Sequence, residues 1–159
     1  MADVRYMNRL LPQAEREAAR LGDDLPGLEH LVLAAATMAD DDTARAALDT
    51  VGVTPGRLRE AIAQVHQEAL AAIGLATSAS PTVAPTSRIH RSSGAAQEAF
   101  QEAVALAKGD GDQVRGGHVI IAAAAQSEGT FARALKLLGV ARRDLVAAAR
   151  SAMPVQGPA

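Results

Sequence analysis

Residues 27–34 read Gly-Leu-Glu-His-Leu-Val-Leu-Ala, and residues 115–122 read Arg-Gly-Gly-His-Val-Ile-Ile-Ala. Each stretch is followed by a second landmark: residues 47–53 read Ala-Leu-Asp-Thr-Val-Gly-Val, and residues 134–140 read Ala-Leu-Lys-Leu-Leu-Gly-Val. The two histidines lie 88 residues apart, and the two glycines of the second landmark lie 87 residues apart. A nearly constant spacing at two separated landmarks indicates that one unit occurs twice in the chain.

Apolar residues recur at helical spacing around both landmarks, and neither half shows the alternation of a strand. The pattern therefore predicts an all-α protein with four helices in each unit. In the first unit the first predicted helix runs from an Asp3 cap to Leu21 with a kink at Pro12, and the second follows Pro26-Gly27. The third runs from a Thr43 cap to Gly52, and the fourth follows Thr54-Pro55. In the second unit they are predicted at 93–108, 117–126, 130–138 and 142–153.

The segment between the two units has the composition of a linker. Residues 74–92 contain Pro81 and Pro85 and show almost no helical periodicity. Repeat 1 is accordingly assigned to 1–73 and repeat 2 to 93–153, and 154–159 is expected to be a disordered tail. A chain of 159 residues can bury one contiguous core, so we expect one compact domain overall.

Composition and charge exclude several classes of function. The 16 basic and 18 acidic residues give a net charge of −2, and no basic run occurs, which disfavours nucleic-acid binding. The chain has no cysteine, which excludes disulfides and thiolate metal sites. It shows neither a signal-peptide pattern nor an apolar stretch long enough to span a membrane, so a cytoplasmic protein is expected.

The sequence lacks the motifs of common catalytic sites. No Gly-x-x-x-x-Gly-Lys-Ser/Thr loop and no Gly-x-Ser-x-Gly elbow is present, so we expect no enzyme activity and no cofactor. The acidic stretches Asp40–Asp42 and Gly109–Asp112 lack the ligand spacing of a calcium loop. They are interpreted as solvated loop acids and as a flexible turn.

His30 and His118 occupy the same position of each unit, at the start of the second helix. We interpret both as structural, with one ring nitrogen donating to a loop carbonyl while the ring packs on a neighbouring helix. Metal ligation and a small enzyme using either histidine are the alternatives. Glu29 is placed either to stabilise the helix dipole or to accept hydrogen bonds from a cationic ligand.

The combination of motif, spacing and duplication resembles the N-terminal domain of the Clp ATPases, especially the ClpC type. In that family each of two repeats carries an Ile-Gly-Thr-Glu-His-like motif followed by an apolar helix, and the resemblance covers residues 4–153. It implies an eight-helix bundle of two four-helix repeats related by a pseudo-twofold axis. Because the ATPase modules are missing, the chain is expected to be a standalone relative or an excised domain.

The resemblance also implies a function by binding alone. The expected partners are substrates, adaptor proteins or cyclic peptides of the Clp system, with sequestration of ClpC-directed antibiotics as one outcome, and a monomer is expected. Phosphoarginine recognition carries over only to Glu29, because Gly117 stands where the second repeat should have its acid. The implied apolar groove between the first helices of the two repeats is assigned to six residues: Leu10, Leu11, Ala14, Ile89, Ala96 and Phe100.

An alternative of another class remains open. A purely structural helical bundle, which oligomerises or regulates a longer protein through its alanine-rich faces, has the same composition and periodicity.

Overall fold

The computed structural model describes residues 2–74 and 94–154, and within these two stretches the chain forms eight α-helices and no strand. This confirms the predicted all-α class and the four helices of each repeat. The predicted linker lies outside the described residues except for Gly74, and the predicted tail does so except for Pro154. The helices are α1 (Ala2–Arg20), α2 (Leu28–Ala36), α3 (Thr43–Thr50), α4 (Pro55–Ala72), α5 (Gly94–Gly109), α6 (Gly116–Ala124), α7 (Thr130–Leu138) and α8 (Arg142–Ala152).

The repeated Leu-x-x-x-Gly-Val landmark is a helix C-cap. At the end of α3, Gly52 has a φ of +77°, and Val53 N donates to Leu48 O at 2.9 Å. At the end of α7, Gly139 has a φ of +72°, and the following valine donates to Leu135 O at the same distance. A left-handed residue strongly favours glycine, and the following apolar residue packs back on the helix. The landmark therefore recurs because each repeat ends its third helix by the same turn.

The helices α2 and α6 form the centre of the molecule and pack on each other. Every residue of α6 is buried, and every residue of α2 except Glu29 is buried. In each repeat the first helix packs on the second, α1 on α2 and α5 on α6. The outer helices cross over between repeats, so that α3 packs on α8 and α4 packs on α7. The two repeats thus share one core, and neither repeat buries its own third and fourth helices by itself.

An ion pair connects the first and fourth helices of repeat 1. Arg59 on α4 donates from Nε and Nη2 to the carboxylate of Glu17 on α1, at 2.9 and 2.8 Å. The Glu17 side chain is buried, and hydrogen bonds from Arg59 hold its pKa below the usual range although burial acts in the opposite direction. The pair therefore stays ionised, as a bidentate geometry favours.

Three local predictions at helix ends have different outcomes. Helix α4 begins after Thr54 as predicted: Thr54 is its N-cap, with Oγ1 accepting Arg57 N at 3.1 Å, and Pro55 is the first helical residue. Asp3 is not the cap of α1 but lies inside its first turn, where its carboxylate accepts Val114 N at 3.3 Å. Thr43 is not the cap of α3 either, since that position belongs to Asp42. Pro12 lies inside α1, and the helix continues through it.

In the described part of the chain, no helix combines the length and the apolar character needed to cross a membrane.

Replacement of Gly116 by alanine tests the close approach of the repeats. A Cβ atom at Gly116 would lie 2.7 Å from Ala44 Cβ and 3.1 Å from Ala44 N, so the backbone of repeat 1 must shift. We expect Gly116→Ala to lower the free energy of unfolding by about 1–3 kcal/mol, as overpacking does. Urea denaturation followed by circular dichroism measures it.

Gly56→Ala is the matched control, because Gly56 also lies in the first turn of a helix and its Cβ would meet nothing closer than Thr54 Oγ1 at 3.9 Å. This variant is expected to be neutral or more stable by up to about 1 kcal/mol. Equal stability of the two variants would contradict the close packing at α6.

Candidate functional site

The first turns of α2 and α6 carry networks of polar contacts, and each is built around a histidine. Gly27 N donates to His30 Nδ1 at 2.8 Å, and Arg115 N donates to His118 Nδ1 at 3.0 Å. The N–H at the N-cap thus finds an acceptor in the third residue of the helix, the arrangement in which glutamate or glutamine commonly occurs. The expected bond to a loop carbonyl is wrong, because Nδ1 accepts a hydrogen bond from a backbone N–H.

The second ring nitrogen of each histidine faces an aspartate of the preceding loop. His118 Nε2 lies 3.3 Å from Asp110 Oδ2 with hydrogen-bond geometry. His30 Nε2 lies 3.0 Å from Asp23 Oδ2, but the two atoms are not aligned as a hydrogen bond and neither has another such partner among the described residues. His66 on α4 approaches the same Asp23 oxygen to 3.8 Å. Both histidines are almost completely buried.

The geometry of His30 does not suit a metal ion. Asp23, Glu29 and His30 each offer a ligand atom, and these atoms lie within 4.8 Å of one another. A histidine that binds a metal through one ring nitrogen normally donates a proton from the other. Here Nδ1 accepts the Gly27 N–H, so the proton of the neutral ring is on Nε2. The cluster is therefore better described as a helix cap whose second ring nitrogen lies near a carboxylate.

Repeat 1 supplies the other caps of α6. Asp41 Oδ2 accepts Gly116 N at 2.5 Å, and Thr43 Oγ1 accepts Gly117 N at 2.8 Å. The other Asp41 oxygen accepts the N–H and the hydroxyl of Thr43 at 3.1 and 2.7 Å, which orients both side chains. We call Asp41, Thr43, Gly116 and Gly117 the inter-repeat clamp. The interpretation of Asp41 as a solvated loop acid is therefore wrong.

The loop before α6 is also fixed by its acidic residues, contrary to the expected flexible turn. Asp110 accepts Arg150 Nη1 of α8 at 2.6 Å. Asp112 accepts Arg115 Nε at 2.8 Å and Gln113 N at 2.7 Å, and the first of these bonds raises the pKa of Arg115. These contacts connect the loop to α8 and to the N-cap of α6.

Glu29 lies one residue before His30, and its carboxylate folds back over the N-cap of α2. A Cβ atom at Gly27 would lie 2.8 Å from Glu29 Oε2, and Glu29 Oε1 lies 3.7 Å from His30 Nδ1. The side chain is 12% exposed, so only part of the carboxylate faces solvent. A side chain at position 27 would therefore displace this carboxylate from the N-cap.

The corresponding turn of repeat 2 has no room for an acid. A Cβ atom at Gly117 would lie 2.6 Å from Met153 Cγ and 2.7 Å from its sulfur. The N–H groups of this turn are already bound within the inter-repeat clamp. The two repeats therefore share the histidine cap, but only repeat 1 presents a carboxylate in the turn.

The residues assigned to the apolar groove lie mostly in the core. Leu10, Ala14, Ala96 and Phe100 are 0%, 0%, 1% and 7% exposed, so a ligand would reach them only if the helices moved apart. Leu11 is half-buried and is the most accessible member of the set in the described residues. Ile89 lies outside the described residues. The groove stays a prediction.

The fold and the paired histidine caps define a class of protein. It is a two-repeat helical domain in which the third and fourth helices of one repeat pack on the fourth and third helices of the other. Comparison with solved structures places this class among known folds. The N-terminal domain of the caseinolytic-protease-associated chaperone ClpD from Arabidopsis thaliana matches with a TM-score of 0.65 and 23% sequence identity, over 90% of this chain and 88% of that one. Among curated protein sequences, none matches.

The family follows from the sequence itself. The family model described as the Clp repeat (R) N-terminal domain matches residues 5–138. The chain belongs to this family, and the resemblance to Clp N-terminal domains is confirmed at that level. The match includes both histidine turns and the glycine-capped landmark of repeat 1, and it ends at Leu138, one residue before Gly139.

Replacement of Asp41 tests the inter-repeat clamp. Asp41→Ala removes the acceptor of Gly116 N and leaves that buried N–H without a partner. We expect the free energy of unfolding to fall by about 1–3 kcal/mol, the cost of an unsatisfied buried donor. Thermal and urea denaturation measure the change.

Asp42→Ala is the matched control. Asp42 is the adjacent carboxylate, is exposed and makes no side-chain cap bond to α3. Its removal is expected to change stability by less than about 0.5 kcal/mol. If both alanine variants lost the same stability, the clamp would not be a distinct stabilising contact.

Proposed function

We propose that this domain is a non-catalytic interaction module that binds substrates, adaptor proteins or peptide-like ligands of the Clp protease system. The observation that carries the proposal is the family match over residues 5–138, which extends from repeat 1 through the first three helices of repeat 2 and supports a Clp-system interaction module in general. The polar groups of the described turns serve as helix caps and loop contacts, which is consistent with a function by binding. A ClpC-type specificity and a cytoplasmic location belong to the same proposal.

One ligand class suits the first turn of α2. A carboxylate binds a guanidinium through charge-assisted hydrogen bonds, and Glu29 is the carboxylate of this turn. The N-terminus of a helix favours an anion such as a phosphate. A phosphorylated arginine combines both groups, so it is the ligand that we propose for repeat 1. In repeat 2 the clamp and Met153 occupy the equivalent space, so we propose a single site per chain.

The phosphoarginine proposal is tested with a peptide that carries this residue and the same peptide with unmodified arginine. Calorimetry is expected to show one site that prefers the phosphorylated peptide. Glu29→Ala should weaken this binding about tenfold or more, because a charge-assisted hydrogen bond contributes about 1.5–3 kcal/mol.

Glu60→Ala is the control, since Glu60 is an exposed carboxylate on α4. It should leave the affinity unchanged. Unchanged affinity in Glu29→Ala, with wild-type stability, would rule out Glu29 as the contact.

The second ligand class is apolar. We propose that a ClpC-directed cyclic peptide binds beside Leu11, where the side chain is partly open, and that capture of such a peptide is one output of the module. Calorimetry at micromolar protein is expected to detect the complex, and Leu11→Asp should abolish it.

Leu137→Asp on α7 is the matched control, because Leu137 is 43% exposed and lies in the other repeat. Absence of heat with folded wild-type protein would refute this proposal without affecting the one on Glu29. Phe100→Asp is unsuitable for the purpose, since Phe100 is part of the core.

A further inference from the structure

The cap of α6 depends on the protonation state of His118. A neutral imidazole carries one proton, and Nδ1 of His118 accepts Arg115 N–H at 3.0 Å, so that proton is on Nε2. A second proton must go to Nδ1, where it would point at the N–H that Nδ1 now accepts. Two donors cannot share this position, so protonation of the ring and capping of α6 exclude each other.

The consequences of losing this cap extend across the repeat interface. The next two N–H groups of the turn, those of Gly116 and Gly117, are bound by Asp41 and Thr43 of repeat 1. The carbonyl of Arg115 accepts the first bonds of α6, from His118 N and Val119 N. Displacement of Arg115 from His118 therefore moves the turn on which the inter-repeat clamp depends.

His30 provides an internal comparison. Its Nδ1 also accepts a backbone N–H, and a carboxylate oxygen, Glu29 Oε1, lies 3.7 Å from this nitrogen. In repeat 2 the residue at that place is Gly117, which has no side chain. Repeat 1 thus places a carboxylate near Nδ1, whereas the corresponding position of repeat 2 has no side chain.

Charged groups on several elements surround His118. Asp110 faces Nε2 at 3.3 Å, and Asp112 lies in the same loop. Arg150 of α8 binds Asp110 at 2.6 Å, and Arg115 at the N-cap binds Asp112. Asp41 of repeat 1 binds Gly116, which lies next to Arg115. Burial lowers the pKa of His118, and the effect of Arg150 adds to it, although Asp110 and Asp112 act in the opposite direction.

We propose that His118 is an acid-sensitive cap, which releases the N-terminus of α6 and the inter-repeat clamp when its ring takes up a second proton. The direction of the pH dependence follows from linkage. The unfolded chain protonates its histidines near pH 6.5, whereas the native state keeps His118 neutral to lower pH. Stability is therefore complete above about pH 6.5 and falls below it, as the unfolded state binds the extra proton.

The test is urea denaturation of the wild type and of His118→Gln between pH 7 and pH 5. This range lies above the ordinary pKa of glutamate, so Glu17 does not titrate within it. If one histidine stays neutral in the native state and is protonated in the unfolded state, the equilibrium constant of unfolding rises about tenfold from pH 6.5 to pH 5. Glutamine retains an acceptor for the cap but does not titrate, so His118→Gln should lose this rise.

His66→Gln and His30→Gln are the matched controls. His66 makes no helix cap, so its variant should keep the wild-type rise. His30→Gln leaves the cap of His118 in place, so it should keep the rise that His118 produces. A wild-type slope retained in His118→Gln would overturn the proposal.

Nitrogen NMR of the wild type decides the question if His118→Gln does not fold. In the folded protein we expect the Nε2–H tautomer of His118 at pH 5.5. We also expect the Gly116 and Gly117 amides to exchange hydrogen with solvent faster at pH 5.5 than at pH 7, after correction for the intrinsic exchange rates. An imidazolium at His118 with both amides still protected would refute the proposed cap.

Discussion

The structure depends on how the N-terminal N–H groups of its two central helices are satisfied. Because α6 is buried along its whole length, its first turn lies where water cannot supply the missing acceptors, whereas the first turn of α2 keeps a partly exposed acid. Each helix obtains its first acceptor from its own histidine. The next two acceptors of α6 come from the other repeat, so the central helix of repeat 2 begins correctly only when repeat 1 is in place. This requirement makes two homologous units a single cooperative domain.

The difference between the two first turns explains why duplication has not produced two equal sites. Gly116 and Gly117 allow Ala44 and Met153 to approach α6 more closely than any side chain would permit. Repeat 2 has therefore a tightly packed turn and no carboxylate. Repeat 1 has Leu28 and Glu29 at these places, and its turn keeps a partly exposed acid. The first turn of α6 can therefore either pack closely against its neighbours or carry an exposed carboxylate, but it cannot do both.

The features that follow from local rules could be predicted from the sequence. The predictions failed where a side chain binds a residue that is distant along the chain. Helical periodicity located the helices of both repeats. The Gly-Val pair marked the end of the third helix in each repeat, because the turn there needs a left-handed residue. Thr43 satisfies the local rule for a cap of α3, yet its hydroxyl serves Gly117, 74 residues away. Apolar spacing also cannot distinguish a groove from a core: Leu10 and Phe100 lie on helix faces that the rest of the fold covers. The signal that was missed for the clamp is the Gly116-Gly117 pair, which indicates a close approach by another part of the chain.

The choice of histidine for the cap has a physical reason. Glutamine would also accept the N-cap N–H, but it lacks a ring that fills space between helices and a second nitrogen that reaches the preceding loop. In repeat 2 one imidazole connects the start of α6, the Asp110 loop and, through Asp110, Arg150 of α8. A single side chain can make these connections only as the neutral Nε2–H tautomer, because each ring nitrogen then has one role. Burial favours this neutral state, so the same packing that forms the core also keeps the cap in its working form.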